Sequence, residues 1–168
     1  MKTIILPGYS PHNKDWAEEM KKRMKLGHNV FIHEWKHWGD KGSLSLAYET
    51  TKILEEIGKE KVNFLAKSVG TRVAANIIPR ISEQINKVIF CGIPTTGKSE
   101  ETKKLYAFGL SCISPGDIIV FQNSKDPLAN YSEVKKFINS LSPLVKVIEM
   151  PCPDHNYPYP EEFENFLK

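Results

Sequence analysis

Val62-Asn63-Phe64-Leu65-Ala66-Lys67-Ser68-Val69-Gly70-Thr71-Arg72-Val73-Ala74-Ala75-Asn76-Ile77-Ile78 changes its hydrophobic period halfway along. Residues 62–66 form an apolar run of strand length, while Val69, Val73, Ala74, Ile77 and Ile78 recur on one helical face. Ser68 falls on the hinge between the two. A turn this tight requires small residues two before and two after the serine, and here they are Ala66 and Gly70. The pattern is that of a nucleophile elbow, with Ala66 at a position where glycine is usual. A serine at a helix start is also an ordinary N-cap, so the rest of the chain has to decide between the two roles.

Outward from this hinge, strands are expected at residues 3–6, 30–33, 62–66, 87–91, 118–121 and 145–150, separated by helical patterns. One helix carries Trp16, Met20 and Met24. The next carries Leu44, Ala47, Tyr48, Thr51 and Leu54; a later one carries Val134, Phe137, Ile138 and Leu141; and the last opens at Pro160 and packs Phe163, Phe166 and Leu167. Continuous apolar strands alternating with amphipathic helices predict an α/β protein, a three-layer α/β/α sandwich around a mostly parallel sheet of about six strands. At 168 residues, with no repeat, low-complexity tract or linker, the chain reads as a single domain over residues 1–168.

Two more polar residues are expected at the edge where Ser68 lies. The strand at 118–121 runs into Gln122-Asn123-Ser124-Lys125-Asp126-Pro127, and the strand at 145–150 runs into Pro151-Cys152-Pro153-Asp154-His155. Asp126 and His155 therefore fall on loops past the C-terminal ends of strands, where open α/β sheets bind ligands. A serine nucleophile needs a base to take its proton and a carboxylate to orient that base. Taken alone, Asp126 before Pro127 is a turn former and His155 a loop residue; their joint placement gives Ser68, His155 and Asp126 as the candidate triad. Asp154 competes as the acid, but its adjacency to His155 along the chain makes a well-aligned bond awkward.

With Ala66-Lys67-Ser68-Val69-Gly70, Ser124-Lys125-Asp126-Pro127, Asp154-His155 and Pro7-Gly8-Tyr9 after the first strand, nearly the whole chain resembles the α/β-hydrolase superfamily. It is similar to small lidless serine hydrolases of the retinoblastoma-binding-protein type and the dienelactone-hydrolase-like group. The order Ser, acid, His is that of this fold. The resemblance implies an α/β-hydrolase fold without a lid domain and an oxyanion hole made by the backbone N–H groups of Tyr9 and Val69. The family carries a His-Gly pair in the first loop; Pro7 stands in place of that histidine here. The function implied is hydrolysis of a small carboxylic ester or thioester through an acyl-enzyme, with no cofactor. Tyr9, Trp35, Trp38, Tyr157 and Tyr159 are candidate pocket walls, and Lys67 beside the nucleophile is a candidate for attracting an anionic substrate.

Two other strings match catalytic motifs. His33-Glu34-Trp35-Lys36-His37 is a literal H-E-x-x-H, but it continues a β-rich run and meets Trp38-Gly39-Asp40-Lys41-Gly42, so no long helix places the two imidazoles on one face and no metal site is expected. Trp35 and Trp38 are then expected to cover the sheet edge or line the pocket. Gly92-Ile93-Pro94-Thr95-Thr96-Gly97-Lys98-Ser99 matches a P-loop and follows a strand, which keeps nucleotide binding open as an alternative. The motif strand would then leave the first three strands unexplained. A non-catalytic binding domain on the same fold is the other alternative.

Composition narrows the partners. A formal charge of +3, with lysines dispersed among acids, shows no nucleic-acid-binding stripe. Cys91, Cys112 and Cys152 are odd in number and lack framework spacing, which suits a reducing compartment. Residues 1–6 are too short for a signal or membrane segment. A cytoplasmic protein with a small-molecule substrate and neither nucleic-acid nor membrane partners is expected.

Overall fold

Side-chain alternation divides every central strand between two apolar layers, and the computed structural model, which describes residues 1–40, 42–94 and 99–168, shows both layers filled. Its strands are β1 (Lys2–Leu6), β2 (Asn29–Ile32), β3 (Val62–Lys67), β4 (Ile85–Cys91), β5 (Ile118–Asn123) and β6 (Lys146–Met150). All pair in parallel, in the order β2-β1-β3-β4-β5-β6.

The helices are α1 (Asn13–Arg23), a one-turn α2 (His37–Asp40), α3 (Leu46–Ile57), α4 (Val69–Ile77), α5 (Glu100–Ser111), α6 (Tyr131–Leu141) and α7 (Pro160–Leu167). On one face, Ile5, Leu65, Ile89 and Phe121 pack with Trp16 and Met20 of α1 and Phe163 and Leu167 of α7. On the other, Ile4, Leu6, Phe64, Ala66, Val88 and Phe90 pack with side chains of α3 to α6. The expected three-layer α/β/α sandwich is therefore present.

The sequence pattern ends β3 and β5 too early. Lys67, Gln122 and Asn123 are polar yet lie within strands and are buried. Their polar atoms are hydrogen-bonded, which lets a strand carry polar residues to a buried edge. β4 starts two residues earlier than expected. Asn63 Oδ1 accepts bonds from the Asn86 side chain (2.9 Å) and the Lys87 amide (3.0 Å) beside a register shift between β3 and β4.

Strand order fixes where a ligand can reach. The chain leaves β1 for β2 on one side and returns to β3 on the other, so the loops after β1 and β3 diverge at a topological switch point. Pro7-Gly8-Tyr9 and Ser68 flank that crevice.

Candidate active site

Ser68 joins β3 directly to α4 with φ 54° and ψ −120°, and it is the one non-glycine residue with positive φ among the described residues. An L-residue held there stores about 1–3 kcal/mol of backbone strain. The surroundings enforce it. A Cβ on Gly70 would lie 2.1 Å from Leu6 O, so only glycine lets α4 approach β1 this closely. Ser68 N donates to Cys91 O (2.9 Å), and Thr71 caps the turn by donating its amide (3.0 Å) and hydroxyl (2.6 Å) to Ser68 O. Ser68 makes no side-chain cap to α4, which sets it apart from Ser45 and Ser99, whose side chains cap α3 and α5.

Asp126 lies three residues past β5 and is buried. Its Oδ2 accepts bonds from His155 Nδ1 (2.7 Å) and the Tyr157 hydroxyl (2.6 Å), and its Oδ1 accepts the Leu128 amide (2.9 Å). Burial pushes the carboxyl pKa up, but these three donors together outweigh it and hold Asp126 below the usual carboxylate range. An ionised Asp126 can only accept, so the proton of neutral His155 sits on Nδ1 and its lone pair on Nε2. Nε2 is buried with no hydrogen-bond partner among the described residues, and no bond joins it to Ser68 Oγ. Contacts of this kind are commonly long before substrate arrives.

The His155 loop is tied to β5 by Asn123. Its Nδ2 donates to Asp154 O (2.8 Å) and Asn156 O (2.5 Å), and its Oδ1 accepts the Tyr159 hydroxyl (2.7 Å). Trp16 Nε1 adds a bond to Tyr157 O (2.9 Å). Gly92, at φ 63°, leaves the space the imidazole occupies: a Cβ there would lie 2.9 Å from His155 Cε1 and 2.6 Å from the Tyr157 ring. Because Ser68 N bonds Cys91 O, the residue before Gly92, the elbow and the His155 ring meet across the end of β4.

The amides of Val69 and Tyr9 donate no hydrogen bond among the described residues. Val69 opens α4, so its N–H is one of the orphan donors of a helix N-terminus. Tyr9 is half exposed.

Several expected roles are corrected. Tyr157 and Tyr159 are buried and bond to Asp126 and Asn123, so neither walls an open pocket. Lys67 points beneath the first loop, its ammonium 2.8 Å from Asn13 Oδ1 and 5.0 Å from the centre of the Trp16 ring. Burial draws its pKa down, partly offset by Cys91, Asp126 and Asp154. Asp154 is exposed and accepts the Asn156 amide (2.8 Å), while His155 bonds Asp126 instead. Trp35 is buried, and Trp35 and Trp38 direct their ring N–H groups at carbonyls of the first loop. The histidines of the H-E-x-x-H string part ways: His33 bonds Glu49 (2.7 Å) and His37 bonds Tyr9 O (2.8 Å). Of the P-loop string, Gly92 serves the His155 ring and Ser99 caps α5, while residues 95–98 lie outside the described residues.

Sequence reasoning missed Asn123 and Gly92 as parts of this site, and it placed Tyr157 in a pocket wall and missed its bond to Asp126. Gly92 carried a signal, a glycine directly after a strand; the other two carried none. No helix among the described residues is long and apolar enough to cross a membrane.

No family model matches the chain, and no curated protein matches it. Solved structures do. An α/β serine hydrolase homologue from Coxiella burnetii superposes with a TM-score of 0.75 at 17% identity, over 99% of this chain and 83% of that one. A lidless α/β serine hydrolase from Xanthomonas campestris gives 0.68 at 15% identity, covering 99% and 78%. Est1E from Butyrivibrio proteoclasticus, solved with ferulic acid bound, gives 0.70 at 11% identity, covering 99% and 87%. With six parallel strands between two helical layers, a strained serine after β3 and no inserted lid domain among the described residues, the chain has the α/β-hydrolase fold.

Proposed function

We propose that this protein is a serine hydrolase that cleaves a small carboxylic ester or thioester through a Ser68–His155–Asp126 triad. The observation that carries the reading is a strained Ser68 at the switch point beside a histidine whose Nδ1 is held by a buried, ionised aspartate. His155 Nε2 takes the Ser68 proton as Oγ attacks the carbonyl carbon, and Asp126 stabilises the imidazolium. The Val69 and Tyr9 amides receive the oxyanion, each donor worth about 3 kcal/mol of barrier. His155 gives the proton to the leaving alcohol or thiol, which departs as its C–O or C–S bond breaks and the carbonyl re-forms, leaving the acyl group on Ser68. Water, deprotonated by the same nitrogen, then attacks the acyl carbon; the acyl–Oγ bond breaks, His155 returns the proton to Ser68, and the carboxylic acid leaves.

Fold likeness to hydrolases from Coxiella and Xanthomonas supports the class, and ferulic acid bound to Est1E makes aryl and hydroxycinnamoyl esters a sensible first panel. The absence of an inserted lid among the described residues favours short substrates, and a cytoplasmic location fits three unpaired cysteines.

The test is labelling of the purified protein by a fluorophosphonate probe, read by intact mass. Wild type is expected to take one adduct, Ser68→Ala none, and His155→Ala to label slowly. A folded wild type that takes no adduct, or Ser68→Ala labelled at the wild-type rate, overturns the assignment.

A further inference from the structure

The H-E-x-x-H string has no role in the proposed chemistry, yet His33-Glu34-Trp35-Lys36-His37-Trp38 contains three ring N–H donors that converge on the loop after β1. Trp35 Nε1 lies 3.3 Å from Pro7 O and 3.1 Å from Gly8 O; His37 Nε2 and Trp38 Nε1 lie 2.8 Å and 2.7 Å from Tyr9 O. Three consecutive carbonyls are thus held by one six-residue segment. His37 also stacks on the Tyr9 ring, with centroids 4.3 Å apart.

The segment is itself anchored. Glu49 of α3 is buried, and its carboxylate accepts both His33 Nε2 (2.7 Å) and the Lys36 amide (3.0 Å). From the opposite side Asn13 packs on Gly8, where a Cβ would lie 2.6 Å from Asn13 Oδ1, and Lys67 fixes that amide.

We infer that Trp35 is a positioning residue for the oxyanion hole, with His37 and Trp38 as its supports; the inference rests on the serine-hydrolase reading above. The peptide unit is planar and trans, so the Gly8 carbonyl and the Tyr9 N–H are two ends of one rigid group that point in opposite directions. A donor from the β2 side that pins Gly8 O aims Tyr9 N–H away from β2, toward the end of β3 where Ser68 sits. The same bond polarises the peptide and makes its N–H a stronger donor. The two bonds on Tyr9 O fix the following peptide, so the unit cannot swivel. In this chain Pro7 occupies the position before the glycine, and the ring donors arrive from the next strand's loop instead.

Trp35→Phe keeps a ring and removes only the N–H. With p-nitrophenyl acetate as substrate, kcat is expected to fall about ten- to hundredfold, less than the roughly 10²–10³ of losing an oxyanion donor outright. KM should stay within about twofold, since the interaction is made in the transition state. Inhibition by 2,2,2-trifluoroacetophenone, whose adduct with Ser68 is a tetrahedral oxyanion, should weaken by the same factor as kcat/KM. A merely structural tryptophan would lower the melting temperature and leave that inhibition constant unchanged. A folded Trp35→Phe with wild-type kcat, or with reduced kcat and unchanged inhibition, overturns the inference while leaving the hydrolase reading intact. If Trp35→Phe does not fold, Trp38→Phe removes the 2.7 Å donor from a half-buried position and is judged by the same two quantities. No Ser68-dependent turnover in the wild type overturns the hydrolase reading, and the inference falls with it.

Discussion

Replacing Tyr157 by phenylalanine removes one hydroxyl from the centre of the site, and the structure sets the size of the effect. That hydroxyl donates to Asp126 Oδ2 at 2.6 Å and accepts the Asn123 amide at 3.2 Å. A hydrogen bond to a charged group contributes about 1.5–3 kcal/mol, and the orphaned Asn123 amide adds about 1 kcal/mol. At neutral pH the loss is about 3 kcal/mol, a fall in melting temperature of roughly 6–12 °C for a chain of this size. The loss depends on pH. A carboxyl whose folded pKa lies below its unfolded value stabilises the fold at pH above the unfolded value, near 3.9, and this contribution disappears as pH falls through the folded pKa. Asp126 is such a group, and Tyr157 is one of the donors that lower it. Only below the folded pKa of Asp126, which itself lies under the unfolded value, does the wild-type hydroxyl face a carboxylic acid, and its bond is then worth only about 0.5–1.5 kcal/mol. The gap between wild type and Tyr157→Phe should therefore be constant from pH 5 to 8 and narrow by roughly 3 °C as the pH is lowered below about 4 and through the folded pKa of Asp126. Differential scanning calorimetry across that range is the assay. A gap that does not change with pH would mean that Tyr157 acts by packing alone and that its bond to the carboxylate contributes nothing.

Gly92→Ala puts a methyl group within 2.9 Å of His155 Cε1 at a backbone of positive φ. A displacement of about 1 Å in a catalytic group costs on the order of 10²-fold, so fluorophosphonate labelling of Ser68 should slow by about that factor while far-UV circular dichroism is retained; labelling at the wild-type rate would show the imidazole is not seated by this contact. Burial pushes the Cys91 thiol far above its ordinary pKa, whereas Cys112 and Cys152 are partly exposed. Iodoacetamide at pH 8 should add to the latter two in the native protein and reach Cys91 only after denaturation, as read by intact mass.

The fold was legible because hydrophobic period reports burial, and burial here follows the layers. The change of period at Ser68 located the end of β3 to within one residue, and the pairing of Asp126 with His155 was legible because loops after parallel strands share one edge. What the pattern hid was most of the contacts made by polar groups within the buried layers. Gln122 and Asn123 read as the loop after a strand, yet they lie within β5, where Gln122 bonds the Ile93 amide and Ala129 O, and Asn123 holds the His155 loop. Trp35 and Trp38 read as edge cover or pocket wall because an indole's apolar area dominates any pattern argument, while its single N–H decides what it organises. Their acceptors lie nearly thirty residues earlier in the chain, and nothing local specifies such a partner.

These hidden contacts also explain how one half of the site is held rigid. Asp126 has both oxygens engaged, Tyr157 both donates and accepts, and Asn123 uses its side-chain oxygen and nitrogen together. In a medium of low dielectric a fully paired network of this kind is stiff, because breaking any one member leaves a buried partner unsatisfied. The Ser68 backbone is fixed by different means, since Gly70 against Leu6 and Thr71 on Ser68 O overdetermine a strained conformation. The one bond absent between these two rigid bodies is Ser68 Oγ to His155 Nε2. Of the adjustable torsions there, serine χ1 is the least costly to turn, because Oγ carries no other side-chain bond among the described residues. On the serine-hydrolase reading proposed above, a substrate would need only to turn this hydroxyl toward the His155 lone pair, while Asp126, His155 and the Val69 and Tyr9 amides keep the positions the fold gives them.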